Sequence, residues 1–585
     1  MGISLHLRGR SWTRVAFNWK AMFVCFPFLA LGSAVLGPIT FEEIAGRAGV
    51  HFTANSSSTP LRHLPETMPG GVALFDYDGD GYLDIFFVNG AEMPSLVKSG
   101  PQYWNRLYHN NGNLTFTDVT QKSGLAGAGY GIGAAVGDYD NDGRPDLFVA
   151  NVNGNQLFHN NGDGTFTDVT KKAGVEGGIY NGRKMWSIAA AWLDYNNDGL
   201  LDLLDLFVSN YCRWDPDTEQ ACFANGQNGT RISCSPRYYD PLPDTLYRNN
   251  GDGTFTDVSA QTGIGKLLGR GMGVAIADYD GDGYPDIFVA NDSAPNQLFH
   301  NIHGERFEEN AMDAGVALSE DGNVLSGMGA DFRDVRNTGL PDIWMTAIEK
   351  QTFPLFWNLG QGQFAVKTVA AGLGMDTFEM SGWGNGIADL DNDGWKDMFV
   401  ARGNVDENVH LFSPRTFEEP NTLFRNLRNG KFENVSATAG PDFQVPAGHR
   451  GVALGDLDND GRIDAVVTVL NGQAKIFHNT THNGNHWILL KLCGTESNRM
   501  GIGAKIRVTA ADGSVQYNHV TTSVGYASSS DSRVHFGLGA NAAVKEIQIT
   551  WPSGIRQVLR DVAADRVVAV VEPGDRKAGA STKRH

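Results

Sequence analysis

Short apolar stretches alternate with glycine- and asparagine-rich turns along most of the chain, and they recur in a fixed order. Each unit opens with a strand of small residues, at 70–75 (GGVALF), 131–136 (GIGAAV), 271–276 (GMGVAI), 382–387 (GWGNGI) and 451–454 (GVAL). An acidic loop follows, then a strongly apolar strand such as 146–150 (DLFVA) or 286–290 (DIFVA). A third strand has the form L-[FY]-x-N, at 107–110, 157–160, 246–249, 298–301, 355–358 and 423–426. Asn-Gly and Asp-Gly turns, which are hairpin signals, lead into a fourth strand of the type F-x-x-V, at 116–119, 166–169, 255–258 and 432–435. Four strands per repeat of roughly 45 to 60 residues is the pattern of a β-propeller blade.

The seventh repeat has its loop at Asp456 and a third strand at 476–479 (IFHN), but no fourth strand follows. A matching one lies at the other end of the chain, where 41–50 (FEEIAGRAGV) parallels 166–175 (FTDVTKKAGV). The expected fold is therefore all-β: a seven-bladed β-propeller with an N-terminal strand closing the last blade, then a small β-rich domain. Closure removes the open sheet edge. The glycines of the first strands fit a crowded central axis, where larger side chains would clash.

The loops between first and second strands carry the chemistry. Loop one, D-x-D-x-D-G-x-x-D, offers Asp76, Asp78, Asp80, the Tyr82 carbonyl and Asp84. Carboxylates at alternate positions and a glycine for the sharp turn suit a hard cation with six to eight oxygen ligands, namely Ca²⁺. An EF-hand is excluded, because its closing acid stands at position 12, where this loop has Phe87. Loop two offers Asp138, Asp140, Asp142, Arg144 (carbonyl) and Asp146. Loop three offers Asp194, Asn196, Asp198, Leu200 (carbonyl) and Asp202, with Asp205 as the alternative closing acid because LLDLLD blurs the register. Loop four offers Asp278, Asp280, Asp282, Tyr284 (carbonyl) and Asp286; loop six Asp389, Asp391, Asp393, Trp395 (carbonyl) and Asp397; loop seven Asp456, Asp458, Asp460, Arg462 (carbonyl) and Asp464. Loop five is damaged, with Arg336 and Thr338 where acids are needed. It should hold no metal, its Arg336 filling the vacancy beside Asp334 and Asp342. Six Ca²⁺ sites are expected, the third weakened by Asn196.

The 585 residues allow a large core and more than one domain, and the 72 glycines suit an all-β chain with many turns. The formal net charge is −19, but about a third of the acidic residues sit in the six intact loops. That acidity is metal-ligand acidity, and it opposes binding to phosphate or nucleic acid. The N-terminus reads as an export signal (1–37). Arg8, Arg10, Arg14 and Lys20 precede the apolar run 21–37, with an uncleaved anchor as the alternative. Cys25 lies inside that run without a lipobox-like context. Beyond it are Cys212, Cys222, Cys234 and Cys493, with no zinc or haem spacing. In an exported chain Cys222 and Cys234 can close a small loop; four free thiols is the other reading.

An insertion at 211–243 in repeat three holds three cysteines, several prolines and Trp214, Tyr238 and Tyr239. It either carries binding or stiffens a long excursion. After the repeats (38–480) a β domain spans 485–572, with strands at 487–492, 504–508, 544–551 and 567–571, and a basic tail at 573–585.

Residues 137–143 (GDYDNDG) resemble the FG-GAP/VCBS repeats of integrin-α-type propellers. The C-terminal segment resembles the ASPIC/UnbV domain through Asn485-His-Trp487, Ser497-Asn498-Arg499, Gly501-Ile-Gly503-Ala504, His535-Phe-Gly-Leu-Gly539 and Trp551-Pro-Ser-Gly554. The two in this order are similar to the cartilage acidic protein family and its bacterial relatives. That resemblance implies a secreted Ca²⁺-binding protein engaged in adhesion or other extracellular interactions, its partner a protein or glycan. The competing reading is an enzyme with its site in the propeller funnel or the repeat-three insertion, and His449, Arg450 and His303 are its channel candidates. No G-x-S-x-G, H-E-x-x-H or phosphate-loop motif supports it. Asn498, Arg499, Asp531 and Arg533 either bind a ligand or brace turns.

Overall fold

The computed structural model describes residues 1–2, 37–197, 203–226 and 229–574. The export-signal run, the basic tail and the loop-three residues Asp198, Leu200 and Asp202 lie outside these. From Gly37 onward the chain forms one compact unit. Among the described residues it is all-β, with helices of at most five residues, none of them long and apolar enough to cross a membrane.

Among the described residues seven antiparallel sheets carry the repeat. Sheet one has strands Val72–Phe75, Asp84–Phe87, Arg106–Asn110 and Phe116–Asp118; sheet two Tyr130–Gly137, Asp146–Val152, Gln156–Asn160 and Phe166–Asp168. Sheets three to six begin at Ser187–Leu193, Gly271–Ala277, Gly327–Arg333 and Gly382–Ala388. Sheet seven comprises His449–Gly455, Asp464–Val469, Lys475–Asn479 and, from the start of the chain, Phe41–Glu43. Phe41 pairs with Asn479 just as Phe166 pairs with Asn160, so the N-terminal strand takes the fourth place in the register the repeat predicts.

The first strands neighbour one another in chain order, and the seventh neighbours the first. Their glycines have a more specific reason than crowding at an axis. A Cβ on Gly133 would stand 2.2 Å from the carbonyl oxygen of Ile188 in sheet three, and one on Gly451 would stand 2.1 Å from that of Gly70. Only glycine lets these backbones approach so closely. Farther out, apolar side chains interleave between sheets: Phe75, Phe86 and Val88 with Val136, Leu147 and Val149, and Leu74, Ile85 and Phe87 with Ala453, Val466 and Ile476. Each large side chain so buried contributes about 1.5–3 kcal/mol.

The C-terminal region forms two further sheets. Val534–Gly539, His486–Cys493 and Arg566–Val571 make one; Val515–His519, Lys505–Ala510, Ala543–Thr550 and Arg556–Ala563 make the other. It is not the separate module that a boundary at 485 suggests. Its hairpin, Ser523–Val524 and Ser528–Ser529, runs between the first strands of the repeat sheets, and Ser529 pairs with Ala73 in parallel. Ala134 N–H donates to Ala527 O at 3.1 Å, Gly525 N–H to Ala330 O at 2.8 Å, and the hydroxyls of Thr522 and Ser523 to Val136 O and Val274 O, both at 2.8 Å. Leu454 N–H donates to Ser530 Oγ at 3.0 Å. Tyr526, fully buried, stacks edge-on against Trp383 and donates its hydroxyl to Met68 O at 2.7 Å. This segment therefore occupies space between the first strands of the repeat sheets.

Phe41 is buried between Phe399 and Phe443. Phe41→Ala is expected to cost about 3–5 kcal/mol in denaturant unfolding, the usual range for a core phenylalanine. Tyr526→Phe, which removes only the hydroxyl bond to Met68, should cost about 0.5–1.5 kcal/mol, and Tyr526→Ala about 3–5 kcal/mol. Equal losses for the two Tyr526 variants would show that the ring itself is not packed as described.

Candidate metal centres

In each repeat the closing aspartate starts the second strand, where it is almost wholly buried. Except in loop five, one of its oxygens accepts the N–H of the loop's second residue, at 3.0–3.3 Å, in Asp84, Asp146, Asp205, Asp286, Asp397 and Asp464. In all seven repeats the other oxygen accepts the N–H of the third-strand asparagine at 2.7–2.8 Å. In loop three Asp205 stands in this place, pairing with Leu193 as Asp84 pairs with Phe75, while Asp202 lies outside the described residues.

The same asparagines explain the L-[FY]-x-N signature. Each carboxamide NH₂ donates at 2.7–2.9 Å to the second-residue carbonyl of the preceding repeat's loop: Asn160 to Tyr77, Asn249 to Tyr139, Asn301 to Tyr195, Asn358 to Tyr279, Asn426 to Val335 and Asn479 to Leu390. Asn110 of repeat one reaches Leu457 of repeat seven at 2.8 Å. The first aspartates turn the loop, with Asp138, Asp278, Asp389 and Asp456 accepting the N–H of the glycine five residues on. That glycine, and the Gly or Asn two residues before it, both have positive φ: Gly143 at 88° and Asn141 at 59° in loop two. Tyr82, Arg144, Tyr284, Trp395 and Arg462 turn their N–H onto the third acid of their loops at 2.8–2.9 Å.

The carboxylates are thus gathered and mutually repulsive. Burial, reinforced by neighbouring acids, pushes Asp84 up to about 8 and Asp138, Asp286 and Asp456 up to about 7. Oxygens of Asp76, Asp391 and Asp458 are buried without a hydrogen-bond partner. Orphaned buried oxygens in an all-oxygen donor set fit a hard divalent cation.

A histidine stands at the variable place of L-[FY]-x-N in four repeats, a feature that place hid in the sequence. His109, His159, His300 and His478 bring Nδ1 within 3.1–3.3 Å of the closing aspartate. Its hydrogen bond pushes His159 and His300 above the ordinary imidazole range. In loop six the place belongs to Arg425, which pairs with Asp391, while Arg428 reaches Asp393 at 2.8 Å. In loop five Arg336 does enter the vacancy. It grips both oxygens of Asp342, at 2.7 and 3.1 Å, and donates to Asn358 O at 2.7 Å. The guanidinium goes to Asp342 and not to Asp334, whose carboxylate accepts the backbone N–H groups of Arg336, Thr338 and Gly339.

The other expected residues are scattered. Cys222 and Cys234 form a disulfide; Cys212 is buried and Cys493 half-buried as thiols. His449 is buried with Nδ1 at 3.0 Å from Arg402 O, and Arg450 lies over Trp383, so neither faces open space. His303 sits in a turn against Tyr284. Asn498 braces its turn through Ile502, while Arg533 binds Asp531, Asn459 and the Asp456 carbonyl, latching the C-terminal domain to loop seven.

A family model described as FG-GAP-like repeat matches residues 76–149, 138–204, 232–289, 278–345 and 389–467, and one described as ASPIC and UnbV matches 494–577. Cartilage acidic protein 1 of Xenopus tropicalis is 25% identical over 89% of this chain and 67% of its own length, and that of Homo sapiens 25% identical over 93% and 78%. Among solved structures, a lectin of Agrocybe aegerita, titled for specific recognition of non-reducing terminal N-acetylglucosamine, matches with TM-score 0.40 and 18% identity over 69% of this chain and 87% of that one. With the repeat model covering more than half of its length and the second model following it, the chain belongs to the FG-GAP-like repeat proteins that carry an ASPIC and UnbV region, and it is related to cartilage acidic protein.

Proposed function

We propose that this protein is an exported interaction module whose seven sheets are the blades of a closed propeller, held by Ca²⁺ in loops one, two, three, four, six and seven. The observation that carries the reading is the recurrence of gathered carboxylates with unpartnered buried oxygens. Ca²⁺ would be held by the aspartates at the first, third, fifth and closing places and by the carbonyls of Tyr82, Arg144, Leu200, Tyr284, Trp395 and Arg462. In loop three Asn196 stands at the third place and Asp205 at the closing one. The ion would add positive charge to that of the lysine, arginine and histidine side chains already beside these carboxylates, and it would clip first strand to second. Closure is supported by the pairing of Phe41 with Asn479 and by the Asn110–Leu457 bond between repeats one and seven. Export is supported by the Cys222–Cys234 bridge. The propeller spans 38–480 and the C-terminal domain 485–572, with the 521–530 hairpin of the latter inserted in the former. The function assigned is binding of an extracellular protein or glycan, a reading supported by the relation to cartilage acidic protein.

Loss of Ca²⁺ should unfold the protein more easily. The melting temperature is expected to fall by many degrees in EGTA and to recover on adding Ca²⁺ in the range of about 10⁻⁴ to 10⁻³ M; an unchanged melting temperature with no ion bound refutes the reading. Without Ca²⁺ the raised aspartates make the folded state bind more protons than the unfolded one between pH 4 and 8. Stability should therefore fall as pH rises across that window, toward the values near 7 to 8 of Asp84, Asp138, Asp286 and Asp456, and saturating Ca²⁺ should abolish the slope. Arg336→Met leaves buried Asp342 unpaired and should cost about 3–5 kcal/mol with or without Ca²⁺. Asp78→Asn should lower stability only when Ca²⁺ is present.

A further inference from the structure

Loops one and two and the C-terminal domain enclose a cleft of about 490 Å³, within the range of ligand sites. One side is cationic, with Lys491 from the strand His486–Cys493, Arg499 from the turn beyond it and Arg144 from loop two. Met500 and Val567 add apolar surface, and Cys493 lies on the wall. Arg499 is underused. Its Nη1 donates to Gly494 O at 3.1 Å, while Nε and Nη2 meet no acceptor among the described residues.

Lys491 spends its charge on loop one instead. Its Nζ lies 3.2 Å from Asp76 Oδ2, and Asp76 Oδ1 is one of the buried oxygens with no hydrogen-bond partner. Loop four shows the same device, Lys505 pairing with Asp278 Oδ2. The C-terminal domain thus lends an ammonium to the first carboxylate of two loops. A divalent ion taken up by Asp76 repels that ammonium at close range. The aspartate is fixed by its bond from Gly81 N–H, whereas the lysine side chain is 53% exposed on a flexible stem. The lysine is the partner that moves, and the cleft is the space it lines.

We propose that this cleft binds a carboxylate-bearing saccharide, and that Ca²⁺ in loop one arms it by turning Lys491 from Asp76 to the ligand. The inference rests on the calcium reading above. The idle guanidinium fork of Arg499 matches a carboxylate, and charge-assisted bonds of this kind discriminate against a neutral sugar that leaves the fork unmatched. Met500 and the exposed Val567 offer apolar surface to the C–H face of a sugar ring.

The test is calorimetric titration of the full chain with tetragalacturonate, in about 1 mM Ca²⁺ and in EGTA, with Ca²⁺ uptake titrated separately. Binding is expected in Ca²⁺ and not in EGTA, and not to the methyl-esterified tetramer. Lys491→Gln and Arg499→Gln should each weaken it about tenfold; Arg499→Gln should leave Ca²⁺ uptake unchanged, and Lys491→Gln, which removes the ammonium competing at Asp76, should leave it as tight or tighter. The saccharide should also slow modification of Cys493 by a thiol reagent, a readout independent of heat. Normal Ca²⁺ uptake with no saccharide binding, or with equal binding of the ester or by Lys491→Gln, overturns the cleft and leaves the calcium reading standing. No Ca²⁺ uptake at all overturns both.

Discussion

Each closing carboxylate is placed by the backbone N–H groups it accepts, and in every repeat one of these comes from the third-strand asparagine. The rest of the architecture follows from that clamp. It forces an acid into the interior, where two N–H groups offset only part of the desolvation cost. The same asparagine then reaches back to the preceding loop, so neighbouring loops share one hydrogen-bonded seam. A loop held this way keeps its acids together whether or not they are neutralised, and some positive charge is required nearby. Repeat five solves the problem with a guanidinium, Arg336 on Asp342. Repeat six recruits Arg425 and Arg428. The histidine-bearing repeats leave most of the task to a cation.

The C-terminal region depends on the same seam. Lys491, Lys505, Arg533 and His535 all reach loop residues, and the hairpin beneath them takes backbone hydrogen bonds from strands of several sheets. The loops are thus docking points for the C-terminal region as well as candidate cation sites, so a change in the charge of one is felt by the other.

Much of this was legible in sequence because acids, glycines and the L-[FY]-x-N strand recur at fixed spacing, and because FEEIAGRAGV copies a fourth strand. The hairpin was not. Residues 522–530 (TSVGYASSS) are mostly small and polar, with no alternation, since they are buried throughout and bond through backbone and hydroxyls, with Tyr526 their one large side chain. Position x of the third strand looked free because His, Arg and Trp all occur there; its meaning emerges only when the strand is seen to point x into the loop beside it. The register of loop three was undecidable from LLDLLD, where two aspartates three residues apart both precede apolar residues. Pairing with Leu193 selects Asp205.

The strand Phe41–Glu43 also sets an order of events. Its partner, Lys475–Asn479, is made after nearly the whole repeat array, and the Tyr526 hairpin later still. During synthesis the earliest strand must wait unpaired, and the free edge of sheet seven stays available to other chains until the two ends meet. A chain built this way cannot finish folding repeat by repeat; its last-made residues complete what its first-made residues began, so premature termination leaves every earlier sheet without its centre.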